Sequence, residues 1–308
     1  MNSNASALLL SVSLAVAAFA APPEGGSSLQ SGTLPQSWLT GGPNCVTVPD
    51  WQVHEYNANF YILRESGCTH YEKPFLYLII GNEKALLEDT GAGAVQTAPF
   101  VMSLLEKWAK KNNHAPVELV VIHSHGHGDH TAGDKQFQAI PAVKFIAAEP
   151  AEIQKAAGIT AWPEGHGSID LGGRVVDVVP IPGHNNASIA LYDRATGNLL
   201  TGDSLYPGRL YVGAAEVSVF AASARRLAAF VETHPIAHVL GTHIEQSATA
   251  YVDYPRGTTY QPAEHSLELS RSHVLELNRA FEQMKEPATV ALPDFTISVR
   301  APGPPRAR

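Results

Sequence analysis

The sequence predicts an α/β fold in which two β-sheets pack face to face and helices cover their outer surfaces. Short runs rich in β-branched and aromatic residues recur along the chain, and amphipathic segments with helical spacing lie between them. The two halves of the chain share this rhythm of strands and helices. Sheets and helices that each have one apolar face bury those faces by packing in layers. At 308 residues the chain can bury a large core.

The first half of the chain is predicted to contain several strands and two helices. A helix is predicted over 96–111 because Phe100, Leu104, Leu105 and Trp108 form an apolar stripe. β-branched and aromatic content predicts the strands, which are 51–65, 75–81, 85–89, 119–124, 144–148 and 174–182, with a short helix at 151–157.

The second half begins with a predicted hairpin. Strands at 188–193 and 199–202 flank Thr196-Gly197-Asn198, which is typical of a tight turn. The remaining predicted elements are a helix at 216–233, a strand at 237–242, a helix at 266–285 and a strand at 293–299.

The termini are predicted to lie outside the folded unit. The apolar stretch before Ala18-Phe19-Ala20 is typical of a signal peptide cleaved near residue 20. Residues 1–6 contain no Lys or Arg, so a membrane-anchored form is the alternative. A flexible leader is predicted over 21–44, one folded domain over 45–300 and a disordered tail over 301–308. We therefore expect a secreted or periplasmic protein.

The two cysteines, Cys45 and Cys68, flank a predicted strand pair near the mature N-terminus. In an exported protein they can form a disulfide that contributes about 3 kcal/mol to stability. The alternative is two independent buried thiols.

Net charge and hydropathy restrict the classes of partner that the chain is expected to bind. The net charge is −8 and no block of Lys and Arg occurs, which argues against nucleic acid because phosphate binding needs clustered basic residues. After signal cleavage no apolar stretch is long enough to cross a membrane. A small-molecule substrate is the partner that remains.

One heptad carries the strongest chemical signal. It follows the predicted buried strand and reads Ser124-His125-Gly126-His127-Gly128-Asp129-His130. Imidazoles and carboxylates are the ligands that zinc and similar divalent cations prefer. The glycines let a tight loop direct several donors toward one point. The heptad therefore predicts a metal-assisted catalytic site.

Three further segments each place one metal-binding residue where a predicted strand meets a loop. They are Pro182-Gly183-His184, Thr201-Gly202-Asp203-Ser204 and Leu240-Gly241-Thr242-His243. Each alone is a weak signal, since His and Asp are common in loops. Together with the heptad, and in this order, they predict one shared site.

This order of ligands resembles the metallo-β-lactamase superfamily, whose signature is H-x-H-x-D-H followed by single H, D and H positions. The resemblance covers roughly 51–246 and implies a four-layer αβ/βα sandwich, with 45–300 as its catalytic domain. It also implies two Zn²⁺ ions per chain, with iron or manganese as alternatives. The implied ligands are His125, His127 and His184 for the first metal, Asp129, His130 and His243 for the second, and Asp203 bridging both. Asp89 resembles the upstream carboxylate that supports the ligand loop.

The implied chemistry is hydrolysis by a hydroxide held between two metals, which attacks a carbonyl carbon. Asp129 would act catalytically by orienting that hydroxide and passing its proton on. No side-chain nucleophile is needed for such a reaction, and no Ser or Cys elbow is evident.

Asp203 also bears on the substrate class. A carboxylate at this position resembles glyoxalase II-like hydrolases and lactonases, whereas β-lactamases have Cys there or lack the bridge. Tyr206 stands three residues later, as does a substrate-binding Tyr in quorum-quenching lactonases. We therefore expect Tyr206 to be catalytic and the bond to be a carboxylic ester, in a lactone.

Three alternatives stay open. A glyoxalase II-like thioesterase is one, because Arg209 and Tyr211 loosely resemble its glutathione-binding pair, although no basic cluster appears around Arg271 and Arg279. A β-lactamase is the second. A persulfide dioxygenase with a single iron is the third.

Overall fold

The structure is a computed structural model of the 308-residue chain. It describes residues 28–41, 45, 48–93 and 95–301. The predicted signal peptide (1–20), parts of the predicted leader (21–27 and 42–44) and residues 302–308 of the predicted tail lie outside the described residues.

The described residues form three sheets and six α-helices. The first sheet contains β1 to β6, which span Trp51–Asn57, Phe60–Glu65, Phe75–Ile80, Lys84–Glu88, Glu118–Ile122 and Val143–Phe145 and lie in that order. The second contains β7 (Gly167–Asp170), β8 (Val175–Pro180), β9 (Ile189–Asp193), β10 (Asn198–Gly202), β12 (His238–Gly241) and β13 (Glu268–Leu269), in the order β13-β12-β10-β9-β8-β7. A small third sheet joins β11 (Arg209–Gly213), β15 (Thr296–Arg300) and β14 (Val290–Ala291). The helices α1 to α6 span Thr97–Lys111, Gly128–Thr131, Asp134–Gln138, Pro150–Ala157, Val217–Thr233 and Arg271–Gln283.

Side chains alternate between the two faces of each strand, so each sheet has two faces that can pack against other layers. In β3, Phe75, Tyr77 and Ile79 enter the core between the two large sheets, where they meet residues of the second sheet such as Val178 and Leu191. Successive side chains of a strand point to opposite faces of the sheet. Both faces of β3 are therefore covered, and all six of its residues are buried.

Helices cover the outer faces of both sheets. Leu76 and Leu78 of β3 pack in one cluster with Val101 and Leu105 of α1. The outer face of the second sheet packs in another cluster that includes residues of α5 and α6, which are Phe220, Leu227, Val231, Val274, Leu277 and Phe281. The order helix, sheet, sheet, helix confirms the predicted four-layer αβ/βα sandwich.

Several predicted elements differ in detail. The predicted strand 51–65 is a hairpin, because a turn at residues 58–59 reverses the chain between β1 and β2. The helix predicted from residue 266 begins at Arg271, since Glu268–Leu269 pairs with β12. The sequence analysis missed β11, whose parallel partner β15 lies far along the chain.

Arg174 links the two large sheets at the edge away from the ligand loops. Its Nε and Nη2 atoms pair with both carboxylate oxygens of buried Asp193, and its Nη1 donates to the carbonyls of Asn59 (2.8 Å) and Ile80 (3.1 Å). The side chain therefore satisfies a buried carboxylate from its own sheet and two carbonyls from the other.

We expect Arg174→Ala to lower the free energy of unfolding by about 3–5 kcal/mol, because it leaves the buried Asp193 charge uncompensated. Urea denaturation measures this loss. Lys111→Ala is the matched control, since its ion pair with Glu55 is exposed (59% and 42%) and is worth about 0–1 kcal/mol. Equal small losses in both variants would contradict the assigned role of Arg174.

Cys45 and Cys68 form a disulfide, which confirms the bonded alternative of the sequence analysis. Disulfides persist in oxidising compartments. Among the described residues, the helices are too short or too polar to traverse a lipid bilayer.

Candidate metal-binding site

The seven residues predicted as metal ligands lie together at one edge of the two large sheets. Each follows the carboxyl end of a strand, so four strand ends meet there. The loop after β5 and the start of α2 carry His125, His127, Asp129 and His130, while His184, Asp203 and His243 follow β8, β10 and β12.

Two glycines permit the close approach of these loops. Gly202, just before Asp203, has a positive φ of 51°, and a Cβ there would lie 2.8 Å from the Cβ of Ser124. Gly183, just before His184, has a φ of 140°, and a Cβ there would lie 2.5 Å from the Cα of Phe220. Any larger residue at either position would move a candidate ligand.

The first donor group contains His125, His127, His184 and Asp203. The Nδ1 atom of His127 lies 3.0 Å from the Nε2 atoms of both His125 and His184. The Oδ2 atom of Asp203 lies 3.4 Å from His184 Nε2 and 3.8 Å from His125 Nε2.

The second donor group contains Asp129, His130, His243 and the same Asp203. His243 Nε2 lies 3.2 Å from Asp129 Oδ2 and 3.3 Å from His130 Nε2. Here the other carboxylate oxygen of Asp203, Oδ1, takes part, at 3.2 Å from His243 Nε2. Asp203 thus offers one oxygen to each group, as a bridging carboxylate would.

Four of the candidate histidine ligands have a hydrogen bond at Nδ1, on the side of the ring that faces away from the donor groups. These hydrogen bonds determine that Nε2 is the nitrogen that faces the donor groups. The Nδ1 atom of His184 donates to the carbonyl of Tyr211 (2.8 Å), and that of His243 donates to the carbonyl of Glu72 (2.9 Å). His130 Nδ1 donates to Asp89 Oδ2 (2.7 Å). Because the Ser124 hydroxyl donates to Asp89, it accepts from His125 Nδ1 (3.1 Å). In their neutral forms these four rings therefore present Nε2 lone pairs to one another and to carboxylates.

This donor set fits divalent cations. A tetrahedral zinc ion with bonds of about 2.0–2.1 Å spaces its ligand atoms roughly 3.4 Å apart. The distances given above scatter around that value, from 3.0 to 3.8 Å, and all donor atoms of each group lie within 4.8 Å of one another. Lone pairs and carboxylate oxygens held this close repel one another unless a proton or a metal cation lies between them.

Electrostatics differ between the two groups. Burial, and then the neighbouring His130, hold the pKa of His125 well below its ordinary value, so that ring is a neutral ligand. Burial also lowers the pKa of His130, but the charges of Asp129, Asp89 and Asp203 outweigh it and raise that pKa well above the ordinary value. The carboxylate charge that favours a proton at the second group also favours a divalent cation.

Asp89 stabilises the conformation of the loop after β5, which carries candidate ligands. Its carboxylate accepts from Ser124 N (2.8 Å), from the Ser124 hydroxyl (2.8 Å) and from His130 Nδ1, and its backbone has a left-handed φ of 68°. It therefore holds the rings of both donor groups, as the sequence analysis expected of an upstream carboxylate.

We expect Asp89→Asn to weaken metal binding by about 10- to 100-fold, because an amide cannot accept from all three donors. Asn tolerates left-handed backbone, so the fold is expected to persist. Competition with a chromogenic chelator measures the affinity, with Asp50→Asn, an exposed carboxylate, as the control. Unchanged affinity in Asp89→Asn would refute this role.

Comparison with known proteins identifies the family. A sequence profile described as "Metallo-beta-lactamase superfamily" matches residues 74–254, which is more than half of the chain. The chain belongs to the metallo-beta-lactamase superfamily. A solved metallo-beta-lactamase from Pontibacter korlensis shares the superfamily fold, with a TM-score of 0.52 and 17% identity over 76% of this chain and 100% of that chain.

Two curated relatives are more informative about chemistry. The acyl-coenzyme A thioesterase MBLAC2 of Bos taurus is 24% identical over 229 residues, which is 63% of this chain and 81% of that protein. The hydroxyacylglutathione hydrolase of Synechococcus sp. (strain JA-2-3B'a(2-13)) is 30% identical over 136 residues, which is 42% of this chain and 52% of that protein.

The donor groups of this superfamily member border a cleft of about 640 Å³, within the usual size range of small-molecule sites. Tyr206 lies in its wall, with its ring centroid 5.4 Å from that of His243. The Tyr206 hydroxyl donates to the carbonyl of Arg209 (2.5 Å) and lies 3.2 Å from Glu245 Oε2. Burial raises its pKa well above the ordinary value, so the phenol stays protonated. Its catalytic role stays a prediction.

Sequence reasoning missed two arginines that line the cleft, Arg256 and Arg300. They are distant in sequence and neither belongs to a motif, so only the fold brings them together. Arg209 and Tyr211, which the sequence analysis did single out, line the same cleft.

Proposed function

We propose that the protein is a divalent-metal hydrolase that cleaves a small-molecule carboxylic thioester. The observation that carries the proposal is the pair of donor groups that share Asp203 and open onto the cleft. We propose that they bind two Zn²⁺ ions per chain, with iron or manganese as alternatives.

Each part of the site has a proposed task. Bound divalent cations would polarise the substrate carbonyl and lower the pKa of water, which supplies a nucleophile at neutral pH. Asp203 would fix the spacing between the two donor groups, because one of its oxygens faces each group. Asp129, which lies between His130 and His243 with a side chain 14% exposed, would orient the attacking water and receive its proton.

Two considerations support a thioester. The curated relatives are named as hydrolases of acyl-coenzyme A and of hydroxyacylglutathione, both of which contain a thioester. The cleft also contains the basic side chains that an acidic thiol carrier would need.

A lactone is the second candidate, and Tyr206 favours it. The ring lies in the cleft wall three residues after Asp203, and a phenol can donate to a developing oxyanion. To do so, the hydroxyl would have to leave the Arg209 carbonyl.

We propose that the protein acts outside the cytoplasm, as a secreted or periplasmic enzyme. The Cys45–Cys68 disulfide and the apolar N-terminal segment of the sequence support this location.

The lactone candidate is tested by Tyr206→Phe. If lactones are the substrate, we expect this variant to lower lactone turnover by about 100-fold, as the loss of one oxyanion donor does, with metal content unchanged. A pH-stat follows acid release, and mass spectrometry of the metal verifies loading. Equal lactone turnover in both proteins would remove the main reason to favour lactones.

The thioester proposal is tested by thiol release from butyryl-coenzyme A and S-lactoylglutathione, with zinc-loaded and chelator-treated protein. We expect release only with the loaded protein. Lactone hydrolysis without thiol release would favour the second candidate.

Two further assays distinguish the remaining alternatives. If only nitrocefin is hydrolysed, the protein is a β-lactamase. Oxygen consumption with iron and a persulfide would identify a dioxygenase.

A further inference from the structure

Two guanidinium groups flank one aromatic ring in the wall of the cleft. The Cζ atom of Arg300 lies 3.6 Å from the ring centroid of Tyr211, and that of Arg256 lies 5.9 Å from it. A cation over an aromatic face is attracted by the ring. Arg256 also forms a side-chain hydrogen bond with Tyr71, which lines the same cleft. Both arginines are exposed to solvent.

The pair is adjacent to the candidate metal site. The carbonyl of Tyr211 accepts the Nδ1–H of His184, so the residue that carries the ring also orients a candidate ligand. Both arginines line the same cleft as His184 and Asp203. A substrate whose reacting carbonyl lies at the donor groups could therefore extend toward this ring.

The pair also differs from the third arginine of the cleft. Arg209 is neutralised within the protein, because it lies 3.2 Å from Glu245 and 3.7 Å from Asp253 and donates to the Tyr254 carbonyl. Across the described ranges, neither Arg256 nor Arg300 has a carboxylate within 4.0 Å. Neither guanidinium is therefore engaged in a salt bridge, and the nearest acidic influence on Arg256 is the charge of Glu72, which also lines the cleft.

The backbones that carry the two arginines are anchored. Arg300 ends β15, where it pairs with Gly213 of β11. Arg256 lies in the loop 255–258, and the buried Lys73 ammonium donates to the carbonyl of Thr258 in that loop (2.9 Å). The arginines are therefore held near one ring before any ligand arrives, which reduces the entropy lost on binding.

We propose that Arg256 and Arg300 form an anion-binding subsite that selects substrates with a carboxylate or phosphate remote from the bond that is cleaved. A guanidinium pairs with either anion through two parallel hydrogen bonds. The inference rests on the proposed hydrolase function for its kinetic test, but the binding of the anion can be measured separately.

The test compares butyryl thioesters of three thiols. N-acetylcysteamine is neutral, glutathione carries carboxylates and coenzyme A carries phosphates. We expect Arg256→Gln and Arg300→Gln to lower kcat/KM by about 10- to 100-fold for an anionic thioester and to leave the neutral one within about twofold. The preferred thiol distinguishes carboxylate from phosphate. Arg225→Gln, on the exposed surface of α5, is the control for the change in net charge.

Binding of the matching S-butyl thioethers, measured by calorimetry, separates the two proposals. Arginine-dependent binding of an anionic thioether without turnover of any thioester would refute the thioesterase function and leave the subsite intact. Equal losses for neutral and anionic compounds, or no loss with either variant, would overturn the subsite.

Discussion

Replacing Asp203 by alanine is expected to lower hydrolytic activity by about 10³-fold or more. The two carboxylate oxygens of Asp203 face different donor groups, with Oδ2 at 3.4 Å from His184 and Oδ1 at 3.2 Å from His243. The substitution therefore removes one ligand from each group. Each ~1.4 kcal/mol of lost transition-state stabilisation lowers the rate about tenfold. The expected decrease therefore corresponds to a loss of several kcal/mol.

The metal content of the Asp203→Ala protein decides what this loss means. We expect mass spectrometry to find it depleted in metal after dialysis, while circular dichroism shows the fold intact. Glu118→Ala, at the exposed start of β5, serves as the control and is expected to retain metal and activity. A fully loaded Asp203→Ala protein with normal activity would be incompatible with a shared ligand.

The second large effect is expected for Asp129→Asn, which should lower kcat by about 10²- to 10³-fold. Its Oδ2 lies 3.1 Å from His130 Nε2 and 3.2 Å from His243 Nε2, while the side chain stays partly open to the cleft. An amide keeps the shape but cannot accept a proton. The first donor group does not contain Asp129, so metal there should remain.

Steady-state kinetics on the best thioester, together with metal analysis, measure this effect. Asp170→Asn, at the exposed end of β7, matches the chemical change away from the cleft. If Asp129→Asn retained wild-type kcat, the proton would have to be accepted elsewhere.

The candidate ligands could be predicted from the sequence because their order resembles that of a known superfamily and each follows a predicted strand. Buried strands are recognisable from their apolar residues, and the parallel pairs β4–β5 and β10–β12 bring their carboxyl ends to the edge of a sheet. His125 and Asp129 share one heptad, so their proximity is local. The layered fold followed from the same strands and from the apolar stripes of α1 and α5.

Other features depend on contacts that no local pattern reveals. Arg300 approaches Tyr211 because β15 pairs with β11, which lies far earlier in the chain, and Arg256 comes from the separate loop 255–258. Because these basic residues are not clustered in the sequence, the sequence analysis did not predict that basic side chains line the cleft. Arg174 was missed for the same reason, since two of its partners lie far away in the sequence, Asn59 in the β1–β2 turn and Ile80 at the end of β3.

The central claim is that the two donor groups bind the metal that drives hydrolysis. Its most direct test is titration of the metal-free chain with zinc, with bound metal and the rate of thioester hydrolysis measured in the same samples. The two donor groups predict that the rate rises from background and levels off at about two ions per chain. Full activity in the metal-free protein, or zinc binding that leaves every tested acyl bond intact, would contradict the claim.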